Sequence, residues 1–263
     1  MNLGLQGMTV VVTGGSSGIG LACVKTFLAE GCRVAFCARG AERLQSVSEE
    51  MTTAYGKDKV FSRAVSVLEE DRMKEFAVEV DNRLGPADVL VNNAGQGRVS
   101  TFAETDDNDW REELELKFFS QIYPVKAFEN QLRKSKDAAI VGVNSLLAYQ
   151  PEPHMVCTSA ARAGVQNLMK SMAGELAPGI RVNTVLLGVV VSGQWERRFE
   201  AREDKTMARA DWYRDQAARR HIPLGRFGEP QEAANAVVFL ASPAASFITG
   251  ARLEVSGGTS RYV

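Results

Sequence analysis

The amino-acid sequence predicts an α/β fold: one doubly wound domain with about seven parallel strands and helices on both faces. Two observations predict it. Short apolar, β-branched runs alternate with longer segments of helical period, and such alternation implies right-handed crossovers between parallel strands. No internal repeat, low-complexity tract or Pro/Gly-rich linker divides the 263 residues, a length that single α/β domains often reach.

Taken in order, the strands are expected at Thr9–Thr13, Arg33–Ala38, Val60–Ser66, Val89–Asn92, Ala138–Asn144, Arg181–Leu186 and Ala251–Val255. Between them the helical patterns begin near Ile19, Glu42, Glu69, Asp107, Ser159 and Pro230. One stretch breaks the rhythm. From Val189 to Ile222 the chain is dense in mixed charge and carries Trp195, Trp212 and Tyr213, so it reads as a pair of inserted helices forming a lid. The domain is therefore expected to span residues 1–263, with the lid at about 189–222.

Composition narrows the function. With 31 basic and 32 acidic residues the net charge is −1, so no global field draws the chain to nucleic acid or an anionic membrane. No apolar run approaches the roughly 20 residues of a membrane span, and no charged n-region precedes an apolar h-region at the start. Cys23, Cys32, Cys37 and Cys157 lack CxxC spacing and read as buried apolar packing rather than metal ligands or disulfides. A reducing cytoplasm is the expected location, and no metal site is expected.

The first strand runs directly into Thr13-Gly14-Gly15-Ser16-Ser17-Gly18-Ile19-Gly20, and a helix pattern follows. Glycines there let the chain turn tightly and bring backbone N–H groups to a pyrophosphate at the positive end of a helix. That context, between the first strand and first helix of a βαβ unit, makes a dinucleotide-binding Rossmann-type domain the expectation. At the end of the second strand, Ala38 stands where a NAD site needs an acid for the ribose 2′-hydroxyl, and Arg39 follows. An arginine can grip a 2′-phosphate through charge-assisted contacts, with Ser16 and Ser17 adding hydroxyl donors, so NADP is favoured over NAD.

In the TGxxxGIG spacing of this loop the chain resembles the classical short-chain dehydrogenases/reductases. The likeness runs along nearly the whole sequence: Asn92-Asn93-Ala94-Gly95 resembles the family's NNAG motif, and Leu187-Gly188 its PG motif, with Ser192 where a Thr often meets the carboxamide. Pro223-Leu224-Gly225-Arg226 and Ser256-Gly257-Gly258 resemble its C-terminal landmarks. The resemblance implies a cofactor held by Gly14, Ser16, Ser17, Gly18, Ile19, Gly20, Arg39, Asn93, Ala94, Gly95, Arg162, Gly188 and Val190. Ser66 replaces the Asp usual beside the adenine.

The family's proton-transfer residues match at one of four places. Ser145 keeps the Ser; thirteen residues on, the Tyr position holds Thr158, and the Lys position four beyond it holds Arg162. Seven residues past Trp110, the Asn position holds Lys117. A threonine hydroxyl can hydrogen-bond a substrate but is a poor general acid, and arginine cannot relay protons. Ser145, Thr158, Arg162 and Lys117 are nevertheless the candidate catalytic set. A lysine beside an arginine has its charged form disfavoured, so Lys117 could titrate in a useful range, or it could simply reach solvent. Tyr149 and His154 are further candidates on the substrate-side loop. Tyr55 and Lys59 share the Tyr-x-x-x-Lys spacing but precede the third strand, with no Ser thirteen residues upstream.

Three readings follow. The first is an NADP-dependent oxidoreductase acting on a small carbonyl, alcohol or activated alkene, with an altered proton-transfer set and its substrate under the aromatic lid. The second is a non-catalytic dinucleotide-binding sensor or scaffold. The third is a lyase, isomerase or hydrolase using Lys117 as base or Schiff-base amine. The resemblance also implies a homodimer or homotetramer, with the stretches Phe118–Phe128 and Ala160–Ala173 suited to the interface.

Overall fold

A computed structural model describes residues 2–261. Seven parallel strands form one sheet in the order β3-β2-β1-β4-β5-β6-β7. They are β1 (Thr9–Thr13), β2 (Arg33–Ala38), β3 (Val60–Ala64), β4 (Val89–Asn92), β5 (Ala139–Ser145), β6 (Arg181–Leu187) and β7 (Arg252–Val255). All five residues of β1 and all four of β4 are buried, which is why these strands read as unbroken apolar runs rather than alternating ones. The order in which strands are added reverses between β1 and β4, and the carboxyl ends of those two parallel strands open a crevice where such folds place ligands.

Helices α1 (Gly18–Ala29), α2 (Ala41–Tyr55) and α8 (Pro230–Ala241) cover one face through Val24, Phe27, Leu44, Val237 and Leu240. Helices α3 (Glu70–Leu84), α4 (Asp107–Leu132) and α5 (Val156–Glu175) cover the other through Phe76, Phe128, Val165 and Met169. The four cysteines are free and buried, and burial pushes the thiols of Cys23, Cys32 and Cys37 up to about 12. No helix among the described residues is long and apolar enough to cross a membrane.

Three expectations change. Strand β3 stops at Ala64 rather than Ser66, because Glu69 accepts from the Ser66 N–H and Ser66 Oγ from the Leu68 N–H, turning the chain. Helix α5 starts at Val156, not near Ser159, so Thr158 lies inside its first turn. The stretch expected to form a lid folds as α6 (Gly193–Glu200) and α7 (Arg209–Arg219), but most of its aromatic residues do not roof the crevice. They pack on one another: Phe227 lies 4.8 Å from Trp195 and 5.3 Å from Tyr213 between ring centres, and Trp212 lies 5.5 Å from Phe199. Of the Trp and Tyr residues expected there, Trp195 alone lines the cavity below.

Candidate active site

Two adjoining cavities occupy the crevice. The smaller, about 400 Å³, is lined by Gly14, Ser16, Ser17, Gly18 and Arg39, with Ser66 on the β3 side. The larger, about 1100 Å³, runs past Ser145, Lys117 and Arg162 to the lid. Ile19, Asn93, Ala94, Gly95, Val190 and Ser192 line both, so the two form one continuous groove; Gly188 lines the larger.

The glycine loop has the shape of a phosphate cradle. Gly18 takes φ of +53°, and a side chain built on it would meet nothing within 4 Å, so its backbone faces open space at the start of α1. Gly20 does a different job from the one expected. It does not line either cavity; a Cβ there would fall 2.2 Å from the Gly14 carbonyl oxygen, so its absence lets α1 start against the loop. Asn93 locks the loop from behind by donating its amide to the carbonyls of Thr13 and Gly14, while Thr13 Oγ1 accepts from the backbone of Asn93 and Ala94. Arg39 is exposed and makes no hydrogen bond or ion pair among the described residues, while Arg43, unforeseen, donates to the Ser16 carbonyl at 3.0 Å. Arg162 Nε is buried without a hydrogen-bond partner, an orphan donor in the wall of the larger cavity. An open glycine cradle and an unsatisfied guanidinium donor both fit a dinucleotide.

The candidate proton-transfer residues divide. Thr158 is fully buried and lines neither cavity. Its hydroxyl accepts from the Arg98 N–H at 2.9 Å and donates to Glu113 Oε1 at 2.5 Å, with the Arg98 carbonyl 3.1 Å away. Thr158 is therefore a tie between α5, α4 and the loop after β4, not a group facing substrate. Tyr149 also lies outside the cavity; its hydroxyl accepts from Arg252 at 3.0 Å. Lys117, Arg162, Ser145 and His154 do line the cavity.

Lys117 is 5% exposed and donates to Glu113 Oε1 at 2.7 Å and to the Gln96 carbonyl. An ammonium has three donors, so one N–H is left without a partner among the described residues. Burial first, and the Arg162 charge second, lower its pKa below the ordinary 10.5, against the opposing pull of Glu113. Arg162, fixed by Nη1 to Asn144 Oδ1 at 3.1 Å, is pushed down by burial to about 10 and stays cationic at neutral pH. Ser145 Oγ accepts from the Leu147 N–H at 3.3 Å, which leaves its proton to donate. Glu113 escaped the sequence reading, although its spacing four residues before Lys117 was visible; on most helices that spacing marks a solvated pair. His221 and the lid arginines Arg198, Arg219 and Arg220 also line the cavity without a sequence signal.

Comparison with known proteins agrees with this geometry. The family model described as enoyl-(acyl carrier protein) reductase matches residues 14–260. The chain is 32% identical over 98% of its length to the 3-oxoacyl-[acyl-carrier-protein] reductase FabG of Aquifex aeolicus, covering 99% of that protein. An NADPH-bound short chain oxidoreductase of Pseudomonas aeruginosa PAO1, described as containing an atypical catalytic center, superposes with TM-score 0.94 at 55% identity, over 97% of this chain and 98% of the other. L-Sorbose reductase of Gluconobacter frateurii, complexed with NADPH and L-sorbose, gives TM-score 0.94 at 30% identity over the full length of both chains. Sheet order, glycine cradle and full-length matches agree, and the chain belongs to the short-chain dehydrogenase/reductase family of oxidoreductases.

Proposed function

We propose that this protein is an NADPH-dependent reductase of small carbonyl compounds, running in reverse on alcohols, in which Lys117 takes the place of the family's phenol as proton donor. One observation carries the reading: the cavity wall holds an ammonium of lowered pKa with one of its three N–H donors unpaired, while the residue at the phenol's position is buried out of reach. NADPH in the P. aeruginosa and G. frateurii proteins supports the cofactor assignment, as does Arg39 beside the smaller cavity.

The glycine loop would hold the pyrophosphate, Arg39 with Ser16 and Ser17 the 2′-phosphate, and Arg162 Nε a ribose hydroxyl. When bound, the reduced nicotinamide supplies the hydride. Ser145 donates a hydrogen bond to the substrate oxygen and Lys117 gives it a proton, becoming a neutral amine that solvent recharges through the cavity. Glu113 fixes the ammonium, and the Arg162 charge makes it a stronger acid while favouring negative charge on the oxygen. The same amine could form a Schiff base with a carbonyl substrate; borohydride labelling of Lys117 would then reveal lyase-type chemistry instead. The family reading extends to a homo-oligomer, and four buried free thiols suit a reducing cytoplasm.

The test is a titration with NADPH and NADH followed by nicotinamide fluorescence, then NADPH oxidation with a carbonyl panel in the wild type and Lys117→Met. NADPH should bind in preference, and the variant should keep that binding while kcat falls about 10²–10⁴-fold. Failure of both cofactors to bind at millimolar levels would remove the oxidoreductase reading, and an unchanged kcat would move the proton donor off Lys117.

A further inference from the structure

The larger cavity is far more basic than the chain that forms it. Among the described residues its walls carry Lys117, Arg162, Arg198, Arg219, Arg220 and Arg261 against one lining carboxylate, Glu152, with Glu113 pairing Lys117 and Asp215 pairing Arg219, in a protein with 31 basic and 32 acidic residues. Lys117 and Arg162 belong to the proton-transfer end. The others come from the lid and the C-terminal segment, and none of them lines the smaller cavity at the glycine loop, so they are not placed to read the cofactor's 2′-phosphate.

Charged residues on lid helices are ordinarily paired at the surface, and much of this lid follows that rule. Arg209 pairs with Glu196, Arg214 with Asp211, and Arg219 with Asp215. Arg198 and Arg220 depart from it: neither has a carboxylate within ion-pairing distance among the described residues, and both line the cavity. Both guanidiniums stand over the Trp195 ring, each 4.6 Å from its centre, and Arg220 is further fixed by Gln216 at 2.9 Å. Two unneutralised guanidiniums are thus held on one indole at the substrate side of the groove. Burial first, and then the nearby charges of Arg198 and Arg219, depress the Arg220 pKa, with Glu152 opposing them. A planar fork of this kind suits a carboxylate or phosphate.

We propose that the substrate bears an oxyanion group, a carboxylate or a phosphate, bound by Arg198 and Arg220 against Trp195 while its carbonyl lies at the Lys117 end. The inference rests on the reading of this cavity as the substrate site of a reductase. It narrows the substrate class from small carbonyl compounds to oxo acids or phosphorylated ketones.

The test is calorimetric titration of the full chain, with and without saturating NADPH, using two pairs of analogues that differ in charge. The pairs are 4-oxopentanoate with its methyl ester, and dihydroxyacetone phosphate with dihydroxyacetone. At least one anion should bind about tenfold or more tightly than its neutral partner, with added salt weakening the difference. The tighter anion tells carboxylate from phosphate. Arg198→Gln and Arg220→Gln should each remove most of the discrimination while the melting temperature stays near wild type. Equal affinities within both pairs, or no measurable binding of either anion, overturn the inference, as does discrimination that survives both substitutions. The wild-type comparison stands even where a variant folds poorly. Discrimination without NADPH binding would uphold the anion site and remove the reductase reading; NADPH binding without discrimination would do the reverse.

Discussion

Thr158 and Lys117 share one carboxylate, and that arrangement decides what each can do. The Thr158 hydroxyl is committed to Glu113 and to the backbone of Arg98, so it holds a loop instead of serving a substrate. Thr158→Val keeps the shape and removes the tie. It should destabilise the fold by about 1–3 kcal/mol, because the buried Arg98 N–H and the Glu113 carboxylate each lose a partner. Activity should persist in the folded fraction; thermal melting and kcat measured together check both halves. Lys117 makes a pH-dependent claim. Its proton-giving form exists below its pKa, and that pKa lies below 10.5, so turnover should fall as pH rises through a point short of an ordinary lysine's. Stability moves the other way: between the folded pKa and 10.5 the unfolded lysine binds more protons, so folding gains as pH rises there. A pH–rate profile of wild type against Lys117→Met should lose this alkaline limb. An alkaline limb unchanged in the variant would assign it to another group. Residue by residue, Lys117 and Arg162 were legible from family spacing, whereas Glu113 was not, since nothing local distinguishes a buried Glu–Lys pair from a solvated one.

Elements were legible where their own residues determine them. Strands β1, β2 and β4 match the expected limits because both faces are buried, and continuous apolar runs leave little doubt about their ends. The start of α5 was not, because no side chain caps it. Met155 stands at the cap without a side-chain hydrogen bond, and the helix is begun from a distance by the Ser100 backbone, which pairs with His154 and Val156. Helix α8 is the opposite case, with its signal entirely local: Pro230 opens the first turn, and the Glu232 carboxylate accepts from the Glu229 N–H at 2.8 Å. Arg226 binds Glu232 through both nitrogens, at 2.7 and 2.8 Å, and brings its carboxyl down to about 2. Because the pair is exposed, solvent screens most of that charge effect, and the cap carries the larger share. Glu232→Ala should therefore cost about 1 kcal/mol and lower Tm by about 2–4 °C. The carboxylate's contribution is present above its unfolded pKa near 4.5 and lost as pH falls toward 2, so the wild-type advantage should vanish in acid. A melting comparison at neutral and acid pH decides it; a difference independent of pH would assign the effect to helix propensity alone.

At the scale of the molecule, the crevice follows from strand order, and its contents follow from which loops reach it. The glycine loop, the turn after β4 and the segment after β6 converge there because all three leave carboxyl ends of neighbouring strands, which the sequence pattern anticipates. The basic lid wall arises differently, from helices inserted after β6 whose inward face is set by an aromatic cluster of their own. Periodicity over such short helices could not show which arginines turn inward. Cofactor choice depends on this same convergence. Arg39 is the one charged residue lining the smaller cavity among the described residues, no carboxylate joins it there, and Ala38 leaves the usual acid's place empty of charge. A 2′-phosphate would meet attraction with no repulsion, and a bare 2′-hydroxyl would lose its customary acceptor. Arg39→Ala should thus weaken NADPH binding about 10–100-fold and leave NADH binding nearly unchanged. Ala38→Asp should act from both sides, gaining an acceptor for the hydroxyl and repelling the phosphate, and bring the preference toward NADH. Arg43, which holds the Ser16 carbonyl from outside the cavity, should leave the ratio of the two affinities unaltered when changed to Ala. Parallel fluorescence titrations of the three variants separate these effects: a fall in NADPH and NADH affinity together in Arg39→Ala would mean that the residue shapes the loop rather than reads the phosphate.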